Sequence, residues 1–133
     1  MQKLHNWQTS LALTITANQD KHFEWGTFDC CLFAADCVKA MTGQDPAQEF
    51  RGKYKTRLGA ARKLKELGAG DLESTLNDKL GEPVPGYPQK GDICLVDTED
   101  GPAAGVVFSR VIWVPGPTGL QAIKQKPKAV WRV

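Results

Sequence analysis

Between Phe23 and Asp36 the chain reads F-E-W-G-T-F-D-C-C-L-F-A-A-D, and the side chains best able to do chemistry are gathered there. Cysteine acts as a nucleophile only as the thiolate, so its use depends on what lowers its pKa. Gly26 suits a tight turn or a close backbone approach. Thr27 or Asp29 suits the cap of a helix expected from about Asp29 to Met41. Cys30 then falls in the first helical turn, where unpaired N–H groups and the positive end of the helix dipole favour thiolate. Cysteine is also a small apolar residue that takes burial well, and that plainer role competes for the same position. Cys31 and Cys37 are expected in the plainer role, because both adjoin apolar positions of that helix.

The neighbouring groups divide in the same way. Asp29 is expected chiefly as the helix cap, the alternative being a carboxylate that orients a catalytic group. Trp25 is expected to pack on the central helix, or else to wall a ligand cleft. Asp36 either pairs with a basic residue or faces solvent, and Asp92 reads as a strand-entry turn residue. A thiolate hydrolase also needs an imidazole as base and later as acid. The chain has two histidines, His5 and His22, and both precede Cys30. His5 is placed on the polar face of the first helix and His22 in an exposed loop. Cys30, Cys31, Cys37 and Cys94 lack the C-x-x-C spacing of structural zinc sites, so neither a metal nor a cofactor is expected.

The elements that must position these residues follow from periodicity. Leu4, Trp7, Leu11 and Ile15 predict an amphipathic helix over residues 3–18. The cysteine helix comes next, apolar through Leu32, Phe33, Ala35, Val38 and Met41, and closes at Thr42-Gly43. A segment without sustained period follows, with one turn around Pro46 to Phe50. Thr56 caps a third helix carrying Leu58, Ala61, Leu64 and Leu67, stopped at Gly68. A shorter helix is expected from about Asp71 to Leu80. Glu82 to Gly91 is rich in proline and glycine and reads as a connector. Beyond Asp92 the pattern turns strand-like at Ile93–Val96, Gly105–Ser109, Val111–Val114, Leu120–Ile123 and Ala129–Val133. Residues 109–111 are either a turn or a bend within one longer strand. Helices followed by short strands predict a single α+β domain over 1–133 with an antiparallel meander.

Composition narrows the classes. The 133 residues carry 17 Lys and Arg against 15 Asp and Glu, a net charge of +2, with 24% charged residues. No polybasic block with interleaved aromatics is present, so nucleic acid is not an expected partner. No apolar run approaches membrane-spanning length, and no membrane span is expected. The first ten residues lack the apolar core and small-residue cleavage site of a signal peptide, so reduced thiols are expected.

A cysteine at the head of a central helix, followed by an antiparallel sheet, resembles the layout of papain-like cysteine hydrolases. Phe23-Glu24-Trp25-Gly26 with Asp29-Cys30 resembles the W-G…D-C signature of NlpC-type cell-wall peptidases. Lys90-Gly91-Asp92-Ile93 resembles the G-D motif opening their first core strand. Trp25 to Asp36, Asp45-Pro46 with Arg51-Gly52-Lys53-Tyr54, and Ala129 to Val133 are similar to a group of small phage and prophage tail-associated proteins. The resemblance implies a papain-like, NlpC-type fold with Cys30 at the nucleophile position, and Trp25 and Asp29 beside a cleft. It also implies a tail-tip or baseplate protein, found in the virion tail or in the host cytoplasm during assembly. Its partners would be other tail proteins, with a peptidoglycan fragment or peptide as a further ligand. Active peptidases place histidine at the head of the second core strand, where this chain has Ala103-Ala104-Gly105-Val106-Val107. The expectation is therefore a structural protein on a catalytically degenerate fold. The alternative is an active hydrolase or amidase of peptidoglycan, with Cys30 as nucleophile and an unconventional base. A third possibility is a binding module that holds a peptide or glycan in the old cleft without cutting it.

Overall fold

The computed structural model describes residues 1–133. Four helices precede five strands: α1 (Trp7–Asn18), α2 (Cys30–Thr42), α3 (Arg57–Glu66), α4 (Leu72–Leu80), then β1 (Ile93–Thr98), β2 (Gly101–Phe108), β3 (Val111–Gly116), β4 (Gly119–Ile123) and β5 (Ala129–Trp131). All pairings are antiparallel, in the order β4-β3-β2-β1-β5. The fold is thus α+β; β1 to β4 form the meander expected from the late switch in periodicity, while β5 departs from it by crossing to the far edge to pair with β1. None of the helices is long and apolar enough to cross a membrane.

Alternation along the strands gives the sheet two apolar faces. Ile93, Leu95, Ala104, Val106 and Trp131 point to α1 and α2 and join Leu11, Phe33, Val38 and Met41 in the main core. Cys94, Val96, Ala103, Val107, Ile112, Val114 and Val130 form a second cluster on the other face, against which Val84 and Ile123 pack. α2 is the central helix, because eight of its residues are buried against α1 and the sheet. Its cap is Asp29, and it ends at a left-handed Gly43.

Several boundaries differ from the sequence reading, each for a local reason. α1 begins at Trp7 rather than residue 3, because the Leu4 N–H is tied to the Met41 carbonyl (2.8 Å) and Leu4 to Asn6 form a turn. His5 therefore lies in that turn and not on the helix. β2 starts at Gly101, four residues early, and takes in Pro102. Pairing with β3 covers only Val106–Phe108, so Pro102 sits at an outer strand end, the position where a missing N–H is tolerated. Residues 109–110 are a two-residue hairpin turn, with Ser109 (φ 54°) and Arg110 (φ 66°) both left-handed. α3 has its expected Thr56 cap but buries no residue; Leu58 and Leu67 of the predicted apolar stripe are exposed. Periodicity identified the face, and the fold covers only the part of it near Ala60 and Leu64.

The chain ends are held together. Lys3 Nζ donates to the Val133 carbonyl at 2.6 Å, and Arg132 makes a two-pronged bond to Asp92, Nε to Oδ1 at 3.1 Å and Nη2 to Oδ2 at 2.9 Å. Asp92 is fully buried and also accepts from the Gln89 N–H (2.8 Å), which makes it the turn residue expected at the entry to β1. Gly91 beside it has φ +87°, and a Cβ there would come within 2.8 Å of the Trp7 ring.

Candidate functional site around Cys30 and Cys31

The turn ahead of α2 is built from its backbone. Glu24 and Phe28 exchange N–H···O bonds (3.0 and 2.8 Å) around Gly26. Gly26 has φ +80°, and a Cβ on it would lie 1.9 Å from the Tyr54 carbonyl oxygen, so only glycine fits. Asp29 is fully buried and its carboxylate is fully engaged. Oδ1 accepts the Leu32 N–H (3.0 Å); Oδ2 accepts the Gly26 N–H (3.0 Å) and the Tyr54 hydroxyl (2.5 Å). The cap role expected of Asp29 is what the geometry displays, extended to a bracket that fixes the turn and Tyr54 together.

Cys30 opens α2 half-buried and packs against the second apolar cluster of the sheet, the one that includes Ala103 and Val114. Its Sγ lies 3.8 Å from the Cys31 Sγ. The Cys31 thiol as donor is the main influence on Cys30. Burial acts against ionisation, the backbone N–H of Ala104 assists it, and the nearby Asp29 carboxylate opposes it. The net effect lowers the Cys30 thiol below its ordinary value of 9.0. The same shared proton, with burial, pushes Cys31 well above it. Burial raises Cys37, and raises Cys94 to about 12. Of four thiols, Cys30 alone is shifted toward thiolate.

Trp25 stacks edge-on against Phe23 (centroids 4.8 Å apart, 83° between planes) and packs with Leu32, Phe50 and Tyr54. Trp25, Asp29 and Cys31 share the wall of an apolar cavity of about 80 Å³ between α2 and the α3–α4 pair. Cys30 lies outside that cavity, turned to the sheet. The structure thus separates the two halves of the cleft pictured from sequence: Trp25 and Asp29 keep company with Cys31, and Cys30 with β2.

At the Cys30 sulfur the neighbouring groups are the Cys31 thiol and the peptide N–H groups of Ala104 and Cys31, with the Asp29 carboxylate nearby. His5 and His22 are both exposed, and Ala103 and Ala104 are buried in β2. A lowered thiol in this setting can attack a soft electrophile, but the thiol and peptide neighbours are poor proton donors to a departing amine. The Asp29 carboxylate is taken up as acceptor by Gly26, Leu32 and Tyr54. No group of three or more His, Cys, Asp or Glu is placed to hold a metal ion.

Sequence reasoning gave no role to three residues that organise this region. Tyr54 is one. Arg51 is the second: its Nε meets Asp45 Oδ2 and its Nη2 meets Asp36 Oδ1, each at 2.7 Å, with Asp45 Oδ1 at 3.2 Å from Nη2. Burial raises Asp36 despite that arginine. On Asp45 burial also disfavours the charge, but the Arg51 bonds prevail and hold its carboxyl low. Arg132, clamped on Asp92, is the third. The signal available was an isolated arginine and tyrosine in a segment with no period of its own, which marks residues kept for side-chain bonds rather than for an amphipathic face.

The fold and site define a small α+β domain with two adjacent cysteines, their sulfurs 3.8 Å apart, at the head of its central helix. The chain belongs to the family described as a domain of unknown function, DUF6950, whose model matches residues 2–133. Neither a curated protein nor a solved structure matches it.

Proposed function

We propose that this chain is a papain-like, NlpC-type domain without a working catalytic set, serving as a structural or adaptor component in the assembly of a phage or prophage tail. The observation that carries the first half is the surroundings of Cys30. A cysteine in the first turn of the central helix faces an antiparallel sheet, and the strand beside it presents Ala103 and Ala104. General acid–base assistance is worth roughly 10²–10⁴-fold, and without it amide cleavage has no proton for its leaving group. The tail assignment is supported by the sequence resemblance of Trp25–Asp36, Asp45–Tyr54 and Ala129–Val133. In the structure those segments hold the fold together: Asp36 and Asp45 share Arg51, Asp29 holds Tyr54, and Arg132 holds Asp92. Selection for a scaffold accounts for such bonds without any catalysis.

The competing reading, a cysteine hydrolase of peptidoglycan, draws on the lowered Cys30 thiol. Purified protein and Cys30→Ser are incubated with peptidoglycan fragments and intact cell walls. No release of fragments by either is expected; cleavage by the first and not the second overturns the proposal. Co-purification with tail proteins encoded alongside tests the assembly half. A chain that binds none of them, and is dispensable for infectious particles, refutes it.

A further inference from the structure

We propose that the sheet face turned away from α2 is a docking groove for an acidic, partly apolar polypeptide segment of a partner protein. Its cations are not part of the cysteine site, although Cys30 packs on the same apolar cluster that closes its floor, and it does not depend on the assembly reading. The face is concave and encloses about 1240 Å³ between the β2–β3 hairpin, the 84–90 connector and the 123–130 strap. Five cations line it, Lys90, Arg110, Lys124, Lys126 and Lys128, and no Asp or Glu does. Setting those five aside from the chain's 17 leaves the remainder, with its 15 acidic residues, net negative, so the positive charge is concentrated here. Lys128 stands 3.9 Å from Asp97 and Lys90 reaches Gln8 at 3.4 Å. Arg110, Lys124 and Lys126 have no carboxylate within ion-pair distance.

Val107, Ile112 and Val130 close the floor almost wholly buried, and the apolar surface open between the cations comes from the half-buried Val84, Val111 and Ile123. Branched aliphatic side chains match the side chains of a peptide. Of the two aromatics lining the hollow, Phe108 packs on the main core, which leaves Tyr87 as a single ring where a run of bases would need several. Tyr87 stands on the rim 92% exposed, a rigid amphipathic side chain of the kind that anchors protein contacts. The concavity also excludes a flat membrane surface.

The hairpin tip supplies a second, independent observation. A two-residue turn with both φ positive ordinarily uses Asn-Gly or Gly-Gly, because side chains are strained there. This chain places Ser109 and Arg110 in it, at φ 54° and 66°. An arginine held in a disfavoured conformation at the mouth of a cationic groove is retained for what its guanidinium meets, which strain at a functional site commonly signifies.

Arg110→Gly separates the two roles, since it relieves the turn and removes the cation. A fluorescein-labelled decapeptide of alternating Glu and Leu is titrated by fluorescence polarisation at low and at high salt. The comparison is between the wild type, Arg110→Gly, Lys124→Glu/Lys126→Glu and a control, Lys55→Glu/Lys65→Glu, whose exposed lysines lie outside the groove. Salt-sensitive binding is expected, weakened about tenfold or more by the strap reversal and little changed by the control. Arg110→Gly is expected to weaken binding severalfold while raising the melting temperature. Equal loss in the control overturns the proposal, since net charge alone then explains binding. So does an absence of peptide binding, tighter binding of a ten-nucleotide single strand, or Arg110→Gly that binds as well as the wild type.

Discussion

The Tyr54 hydroxyl meets the Asp29 carboxylate at 2.5 Å, joining the segment between α2 and α3 to the cap of the helix that carries Cys30 and Cys31. Asp29 has no exposed surface, so Tyr54 is one of only three donors compensating a buried charge, with Gly26 and Leu32. The pairing makes the cysteine-bearing turn depend on a residue 25 positions away.

Tyr54→Phe keeps the ring in its cluster and removes only the donor. A hydrogen bond to a charged acceptor is worth roughly 1.5–3 kcal/mol, and a loss in that range is expected. A urea unfolding curve with a lower midpoint and unchanged slope is the expected outcome; an unshifted midpoint would show that Asp29 is satisfied without it.

Arg132→Met tests the clamp at the other end of the chain. It leaves Asp92 buried without its cation, and the expected loss is roughly 3 kcal/mol, the lower end for breaking such a pair, since Arg132 is itself partly exposed. Thermal unfolding at neutral pH reads it directly.

Cys30 should be the first thiol to react. Iodoacetamide labelling followed by peptide mapping is expected to modify Cys30 before Cys31, Cys37 and Cys94, with a pH midpoint below 9.0. Cys31→Ala removes the donor that most favours the Cys30 thiolate, so the midpoint should move up. Unchanged reactivity in that variant would mean that the 3.8 Å pair shares no proton.

Alkaline stability should fall early. Burial lifts Cys94 from its ordinary 9.0 to about 12, so between those values the unfolded chain has released a proton that the folded chain keeps. The native state then binds more protons, and stability present below pH 9.0 is lost as pH rises toward 12. Cys37, raised by burial, and Tyr54, raised by burial and its bond to Asp29, act in the same direction. Cys94→Ala should show a shallower decline in melting temperature over that window, and an equally steep one would assign the effect elsewhere.

What the sequence made legible was local. The Thr56 cap, the left-handed Gly43 and the alternation from Ile93 onward each express a preference of one short stretch, and each lies where such preferences put it. Residues whose meaning is a distant partner were opaque. Arg51 in isolation does not announce Asp36 and Asp45, and Arg132 does not announce Asp92 some 40 positions earlier. Cys30 and Cys31 could be put at a helix head, but which sulfur faces the sheet and which the cavity depends on helix rotation, fixed by packing against β2. Leu58 looked like core because periodicity says which residues share a face and not how far the neighbouring elements reach over it.

The strand order carries a mechanical consequence. β4 and β5 are consecutive in the chain yet lie on opposite edges of the sheet, four strand spacings apart. On a flat sheet that separation is about 19 Å at ordinary strand spacing. The chain from Ile123 to Ala129 reaches about 20–22 Å fully stretched. Such a tether would have no slack to place the Gln125 side chain on the Asp97 carbonyl at 2.6 Å or the Lys128 N–H on that of Leu95 at 2.8 Å. The edges must therefore bend toward each other, with Lys124–Lys128 strung between them like the cord of a bow. Removing one residue from the cord draws the edges closer, and adding one lets them spread, so the width of the hollow beneath is set by a count of residues.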